Sequence, residues 1–394
     1  MNLPEGIRDL LPVDLIRQEK LRRLVLNTFN SWGYQTVLPP SLESLKTLEK
    51  GRPKLVKEAF KVVDVDGQLL ALRPDLTMPI ARLAATRLSS LERPLRLCYA
   101  AVVFRQNKNA DSHREIYQAG IELIGSSSKD KPYSLERTNK ANLECLSILL
   151  ETLDQLQIAD YKIVLTHTDL WRYAGEIFHR VEKHLEMDLS AEIDAVLQKG
   201  DFLEYQKVIN KIEERCKRSF TCPSELKTLF DSSKNESPLN YLKKACFQLT
   251  GKPDEVLAYL DSDSDLYNEL STIIALEEIF GPEKFFIDFT LRPDRKFYTG
   301  LYFEVIVPSR GQSIGAGGRY NNLISCFGGS EPAIGFSLHI EALLKHSQNP
   351  IIKQPFDKKK CVNISCEDTS KQGLIERIKE SRDLRKNVEV VVLD

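Results

Sequence analysis

Recurring apolar positions divide the chain into a limited set of predicted helices and strands. Apolar side chains fall near helical spacing over residues 15–32, and Gly33 offers a residue that can end this helix. A second helix is predicted over 139–156. Runs rich in branched and aromatic residues predict three strands, over 95–104, 117–124 and 161–166. Asp66-Gly67 predicts a short hairpin.

The pattern changes between about 171 and 280, where charged residues and leucines recur at helical spacing. Strands are predicted again after this region, and the end of the chain shows a short strand–helix–strand pattern. Strands in two blocks with helices between them predict an α+β fold with a mainly antiparallel sheet. We predict four parts: a core, first part, over 1–170; a mostly helical insertion over 171–280; a core, second part, over 281–345; and a short C-terminal βαβ tail over 346–394.

Composition narrows the class of protein. A chain of 394 residues with 42% hydrophobic and 28% charged residues is typical of a soluble protein with two or three domains. The net charge of -1 gives no overall electrostatic argument for nucleic acid. No apolar run is long enough for a membrane span or a signal peptide, so we expect a cytoplasmic protein. Eight cysteines without a CxxC pair predict free thiols and no metal site.

The segment that begins at Gly335 resembles a nucleotide site that has been filled in. Gly335, Ser337 and His339 share one face of a predicted strand. A flat base packs best against small side chains, and His339 places an imidazole on this face. Ala342 follows Glu341 where an arginine would meet a phosphate. The same residues also fit an ordinary strand that leads into a helix.

Two clusters near the first predicted strands carry candidate polar chemistry. Asp75 and Thr77 lie where a strand meets a helix, and either side chain would also serve as a helix cap. Arg105 ends a buried strand beside a polar loop. Its guanidinium fits an anion clamp and fits a structural salt bridge equally well.

Two further clusters suggest a small polar ligand. Gln118, Gly120 and Glu122 share a strand face, so an amide and a carboxylate flank the gap that glycine leaves. Their oxygens would hold an ammonium group, although an ordinary exposed strand face has the same pattern. Tyr298 and Tyr320 each lie two residues from a glycine, which suits a polar ligand or an ordinary turn.

Taken in order, the clusters resemble the core of class II aminoacyl-tRNA synthetases, and of histidyl-tRNA synthetase in particular. The resemblance covers about residues 1–345 and implies a mainly antiparallel sheet flanked by helices. Three stretches resemble the general motifs of that class: 33–43, 104–122 and 335–341. In the family the first of these motifs forms the dimer interface. The third stretch resembles a degraded form of its motif. Two others resemble histidine-specific signatures: 297–298 and 317–320.

Several departures from the synthetase pattern concern the ATP side of the site. Ala342 replaces the arginine that contacts ATP in the family, and His339 replaces a small residue. Asn107 stands where a glutamate is usual, and Pro293 stands where an arginine assists activation, although Arg292 and Arg295 are close. The tail over 346–394 is also too short for the family's anticodon-binding domain.

The amino-acid side of the site matches the family. By this resemblance seven residues would line a histidine pocket: Asp75, Thr77, Arg105, Gln118, Glu122, Tyr298 and Tyr320. An intact pocket beside a lost ATP site resembles the regulatory subunits of ATP phosphoribosyltransferase, which are synthetase paralogues of histidine biosynthesis. The run over 72–82 is close to the version of the motif in that subfamily.

The resemblance implies a non-catalytic subunit with no cofactor and no catalytic residues of its own. Such a subunit binds histidine, forms a dimer with itself and assembles with the short catalytic subunit of ATP phosphoribosyltransferase, and it is not expected to bind tRNA. Two alternatives remain at this stage: an active histidyl-tRNA synthetase, and a synthetase-like enzyme with another amino-acid or RNA substrate.

Overall fold

The computed structural model describes residues 3–106, 113–125, 135–169, 207, 250–258, 260, 262–288, 291 and 297–353. The helices in these ranges are α1 (Pro12–Ser31), α2 (Leu45–Gly51), α3 (Thr77–Ala85), α4 (Leu135–Gln155), α5 (Pro253–Leu257), α6 (Asp265–Ile274), α7 (Glu277–Phe280), α8 (Asn321–Ser325), α9 (Ile340–His346) and α10 (Pro350–Lys353). The strands are β1 (Gln35–Thr36), β2 (Leu42–Ser44), β3 (Lys61–Val63), β4 (Leu69–Leu72), β5 (Leu95–Phe104), β6 (Glu115–Ile124), β7 (Lys162–His167), β8 (Thr250–Gly251), β9 (Phe285–Asp288), β10 (Leu301–Val307), β11 (Gln312–Arg319) and β12 (Ala333–His339).

A large sheet organises the described part of the chain, in the strand order β1-β5-β6-β12-β11-β10-β7-β9-β8. Its neighbouring strands are antiparallel except for the pairs β1–β5 and β7–β9. A small antiparallel sheet has the order β2-β4-β3, and its β3–β4 hairpin turns at Gly67, as predicted. The expected α+β fold with a mainly antiparallel sheet is confirmed.

Helix α1 shows how the apolar pattern fixes the packing. Leu21, Val25 and Phe29 recur every four residues, so they form one stripe, and all three are fully buried. The ring of Phe29 meets Phe336 of β12 edge to face, with centroids 5.7 Å apart. The helix begins earlier than residue 15 because a proline occupies its first position, where no backbone donor is needed.

The two faces of the large sheet carry different cores. One face packs against α1, α4 and α6. The other packs against α2, α3 and α8. Strand β6 shows the alternation directly: Ala119, Ile121 and Leu123 belong to the first core. Gln118 and Glu122 therefore lie on the opposite face of the sheet, which packs against α2, α3 and α8.

The glycine-rich stretch over 315–319 is part of a strand rather than a turn. Strand β11 pairs with β10 on one side and β12 on the other. The glycines allow these neighbours to approach closely, since a Cβ on Gly317 would lie 2.5 Å from the carbonyl oxygen of Gly335. The sequence pointed away from a strand, because glycine is common in turns and depleted in strands.

Most of the predicted insertion over 171–280 lies outside the described residues. Its described end, from residue 250, contains β8 and the helices α5, α6 and α7. Beyond residue 353 the predicted tail also lies outside the described residues. The four-part division therefore stays a prediction. Among the described helices, none combines the length and the apolar character needed to cross a bilayer.

Candidate ligand-binding site

A cavity of about 200 Å³ lies beside the centre of the large sheet, where β6, β11 and β12 meet the loops before α3 and before β10. All seven residues predicted for the pocket line it: Asp75, Thr77, Arg105, Gln118, Glu122, Tyr298 and Tyr320. The structure thus brings together side chains that are spread over most of the core sequence. Their role in binding histidine stays a prediction.

Glu122 is the most deeply buried acidic group of the cavity. The hydroxyl of Tyr320 donates a hydrogen bond to its Oε2. Within the described residues, its Oε1 is buried without a partner at hydrogen-bonding geometry. Burial raises the pKa of the Glu122 carboxyl to about 8, against the opposing effect of the Tyr320 hydrogen bond. The protonated form of Glu122 is therefore favoured at neutral pH.

Asp75 fills two roles at the start of α3. Its Oδ1 accepts a hydrogen bond from the backbone N–H of Met78 at 3.2 Å, so the predicted capping contact exists. Its Oδ2 lies 3.2 Å from Nη1 of Arg52. Asp75 and Arg52 both line the cavity, so Asp75 can cap α3 and take part in the site at the same time.

Aromatic rings form one wall of the cavity. Phe297 stacks on Tyr320 with centroids 5.4 Å apart and planes 8° apart. Tyr298 meets Phe297 edge to face at 4.7 Å. The guanidinium of Arg52 lies 3.7 Å from the centroid of Phe297 and continues this stack. Such a wall suits a flat, polar ring.

Arg105 enters the cavity from the end of β5. Its Nε donates a hydrogen bond to the carbonyl oxygen of Pro74 at 2.8 Å, which ties the arginine to the loop that carries Asp75. This contact with a neutral carbonyl positions Arg105 in the cavity wall, and its role as an anion clamp stays a prediction.

His339 lines the cavity together with Gly335 and Ser337, the other residues of the same strand face. Burial, together with the positive charge of Arg105, lowers the pKa of His339 to about 4, so its imidazole is neutral at pH 7. Gly335 has no room for a side chain, since a Cβ there would lie 2.1 Å from Oε2 of Glu122. His339 thus lies on the same cavity wall as the small residues Gly335 and Ser337, and its effect on a nucleotide site stays a prediction.

The sequence did not identify Arg52 as a site residue. Arg52 follows Gly51 and precedes Pro53, and no motif distinguishes it from a surface arginine. Phe297 was part of a recognised signature but was not assigned to the pocket. Asn107 and Pro293 lie outside the described residues. In the described ranges, no three His, Cys, Asp or Glu side chains come together as a metal site would require.

Comparisons with known proteins identify the family of the chain. The profile of the family described as "Histidyl-tRNA synthetase" matches residues 6–343. The "ATP phosphoribosyltransferase regulatory subunit" of Moorella thermoacetica is 33% identical over 353 residues, which are 87% of this chain and 81% of that protein. The protein of the same name from Bacillus subtilis is 30% identical over 346 residues, which are 87% and 80% of the two chains.

Solved structures support the fold. A crystal structure of an ATP phosphoribosyltransferase regulatory subunit/histidyl-tRNA synthetase from Bacillus halodurans has a TM-score of 0.65 at 24% identity and covers 88% of this chain and 83% of its own. Apo histidyl-tRNA synthetase from S. aureus has a TM-score of 0.60 at 19% identity, with coverage of 98% and 83%. These matches establish the class II synthetase-like fold.

Proposed function

We propose that this chain, which belongs to the histidyl-tRNA synthetase family and within it groups with the ATP phosphoribosyltransferase regulatory subunits, binds free histidine in the cavity described above. As a regulatory subunit of ATP phosphoribosyltransferase, it serves the first step of histidine biosynthesis. In this role the cavity would sense the end product of the pathway.

The observation that carries the proposal is the set of seven predicted residues around one cavity of about 200 Å³. The aromatic wall offers a surface for an imidazole ring. Arg105 fits the carboxylate of an amino acid, and the oxygens of Gln118 and Glu122 fit its N–H groups. Histidine has a group for each of these positions.

We further propose that the chain does not activate histidine with ATP. His339 occupies part of the wall on β12, and Ala342 is buried in α9 at the position where an active synthetase of the family carries an arginine. Adenylyl transfer depends on placed positive charge, which a methyl side chain cannot supply. The naming of the relatives as regulatory subunits supports the same conclusion.

The partners follow from the same family. We propose that the chain assembles in the cytoplasm with the short catalytic subunit, and that it also forms a dimer with itself through the first motif, without binding tRNA. Around this motif the apolar side chains of Leu38, Leu42, Val63 and Leu69 are exposed, with Leu38 at 73%. An exposed apolar group of this kind suits an interface between subunits.

Isothermal titration calorimetry tests the histidine site directly. We expect wild-type protein to bind histidine and to bind close amino-acid analogues much more weakly. Glu122→Ala should weaken histidine binding by roughly 10- to 150-fold, since a lost hydrogen bond to a charged group costs about 1.5–3 kcal/mol. Glu136→Ala, at an exposed carboxylate outside the cavity, is the matched control. Equal affinity of wild type and Glu122→Ala would remove Glu122 from the site.

An activity assay with the purified catalytic subunit tests the regulatory role. We expect the catalytic subunit to gain activity when this chain is added, and histidine then to inhibit it. If histidine weakens the binding of a substrate, thermodynamic linkage requires that this substrate weakens the binding of histidine by the same factor. Gln118→Ala or Glu122→Ala should raise the inhibitory histidine concentration and leave activation intact. Loss of activation in both folded variants would mean that the cavity itself contacts the partner.

A further inference from the structure

Arg52 holds a fixed position at the edge of the cavity. Its backbone N–H donates to the carbonyl oxygen of Leu48 at 2.8 Å, which joins it to the end of α2. Its guanidinium lies 3.7 Å from the Phe297 ring centroid and 3.2 Å from Asp75. The side chains of Arg52 and Asp75 are only 19% and 8% exposed. This pair is therefore part of the cavity wall and not a mobile surface contact.

The pair changes what Asp75 can offer to a ligand. An arginine side chain keeps its positive charge at every accessible pH, so it compensates the Asp75 carboxylate permanently. A ligand ammonium group would have to share Asp75 with Arg52 or displace it from its stack on Phe297. A ligand carboxylate can instead meet Arg105, which lines the same cavity and whose Nε donates to the neutral carbonyl oxygen of Pro74.

We propose that Arg52 sets the ligand charge that the cavity accepts, favouring imidazole compounds that carry a carboxylate over those that carry only an ammonium group. This inference rests on the proposed histidine site and specifies its selectivity. Among the residues that the structure describes, the cavity wall contains two arginines, Arg52 and Arg105, and two carboxyl groups, Asp75 and Glu122. At neutral pH most Glu122 carboxyls are protonated, so positive charge exceeds negative charge among these four groups.

Two imidazole probes separate the charge effect from recognition of the ring. Histamine carries the ammonium group without the carboxylate, and imidazolepropionate carries the carboxylate without the ammonium group. We expect wild-type protein to bind imidazolepropionate more tightly than histamine at pH 7. Arg52→Met keeps the length of the aliphatic stem and removes the charge, so Asp75 becomes uncompensated. The ratio of the two affinities should then shift toward histamine by roughly tenfold or more.

Three further variants define the test. Arg52→Lys keeps the charge and should keep the wild-type order. Asp75→Asn retains an oxygen that can accept the Met78 hydrogen bond and should shift the ratio further toward imidazolepropionate. Arg96→Met is the matched control, because it removes an arginine from a part-buried ion pair with Glu144 that lies outside the cavity, and it should leave the ratio unchanged.

The outcomes separate this inference from the proposed function. If wild type binds histidine but Arg52→Met and Asp75→Asn leave the ratio of the two probes unchanged, Arg52 does not set the ligand charge. If wild type binds neither histidine nor the probes, the histidine site itself is wrong. If Arg52→Met fails to fold, the two other variants still test the role of Arg52. The ratio of the probe affinities should shift toward imidazolepropionate in Asp75→Asn, and the order of the two affinities should stay as in wild type in Arg52→Lys.

Discussion

The buried carboxyl of Glu122 predicts a specific dependence of histidine binding on pH. The folded protein holds the pKa of Glu122 at about 8, above its ordinary value of 4.5. A hydrogen-bond donor of the ligand that carries positive charge favours the ionised carboxylate, so binding should lower this pKa and release a proton. Affinity should therefore rise as pH rises toward 8.

The size of the effect follows from the fraction of ionised carboxyl. With a pKa of about 8, roughly 1% of Glu122 is ionised at pH 6, about 10% at pH 7 and about half at pH 8. If only the ionised form bound the ligand, affinity would rise roughly 50-fold between pH 6 and pH 8, which is an upper limit. His339 does not contribute in this window, because its pKa of about 4 lies below it.

Calorimetry at pH 6, 7 and 8 on wild type and Glu122→Gln measures this dependence. The amide cannot ionise, so the variant should lose the part of the pH dependence that belongs to position 122. The ratio of the two affinities at each pH cancels the titration of histidine itself. Two buffers with different ionisation enthalpies report the protons released. A constant ratio from pH 6 to pH 8, or proton uptake on binding, would refute the reasoning.

Three other predictions concern catalysis, the shape of the cavity and stability. The chain should show no pyrophosphate exchange that depends on histidine and ATP; exchange at a synthetase-like rate would overturn the regulatory function. Gly335→Ala should abolish histidine binding measured by calorimetry, because the added Cβ would lie 2.1 Å from Oε2 of Glu122. Binding by the folded variant would show that β12 can move away from β6. Phe29→Ala should lower the free energy of unfolding by about 3–5 kcal/mol in a denaturant titration. Leu15→Ala, at an exposed position of the same helix, is its control, and equal losses in both variants would contradict the core assignment.

Local periodicity predicted two of the strands that frame the site, β6 and β12, but not the glycine-rich strand β11. The two-residue period of β6 places Gln118 and Glu122 on the cavity side and Ile121 in the opposite core. This assignment needs only the pattern of one strand. The positions of Tyr298 and Tyr320 could not be predicted in this way. The two tyrosines flank the strand pair β10–β11, and the local sequence does not determine that these strands pair. Their place in the cavity was expected from the family resemblance alone.

The interactions that control charge in the site depend on packing between distant segments. Arg52 becomes part of the cavity because the end of α2 meets the Phe297 ring, and nothing near Arg52 in the sequence encodes that contact. The raised pKa of Glu122 also requires burial by the folded chain. The sequence therefore indicates Glu122 as a polar candidate, but its protonation state depends on the fold.

The pairing of β6 with β12 has a consequence for synthesis of the chain on the ribosome. Gln118 lies opposite His339 in this strand pair, so the cavity needs residues made early and residues made late. At roughly 5–20 residues per second, the two hundred or so residues between the strands take on the order of 10–40 s to synthesise. Throughout this interval the edge of β6 that pairs with β12 is unpaired, and an unpaired strand edge is a site for unwanted association with other chains. Any nascent chain that terminates before β12 lacks one wall of the cavity, so a ligand that binds there would protect only chains that contain β12 from proteolysis.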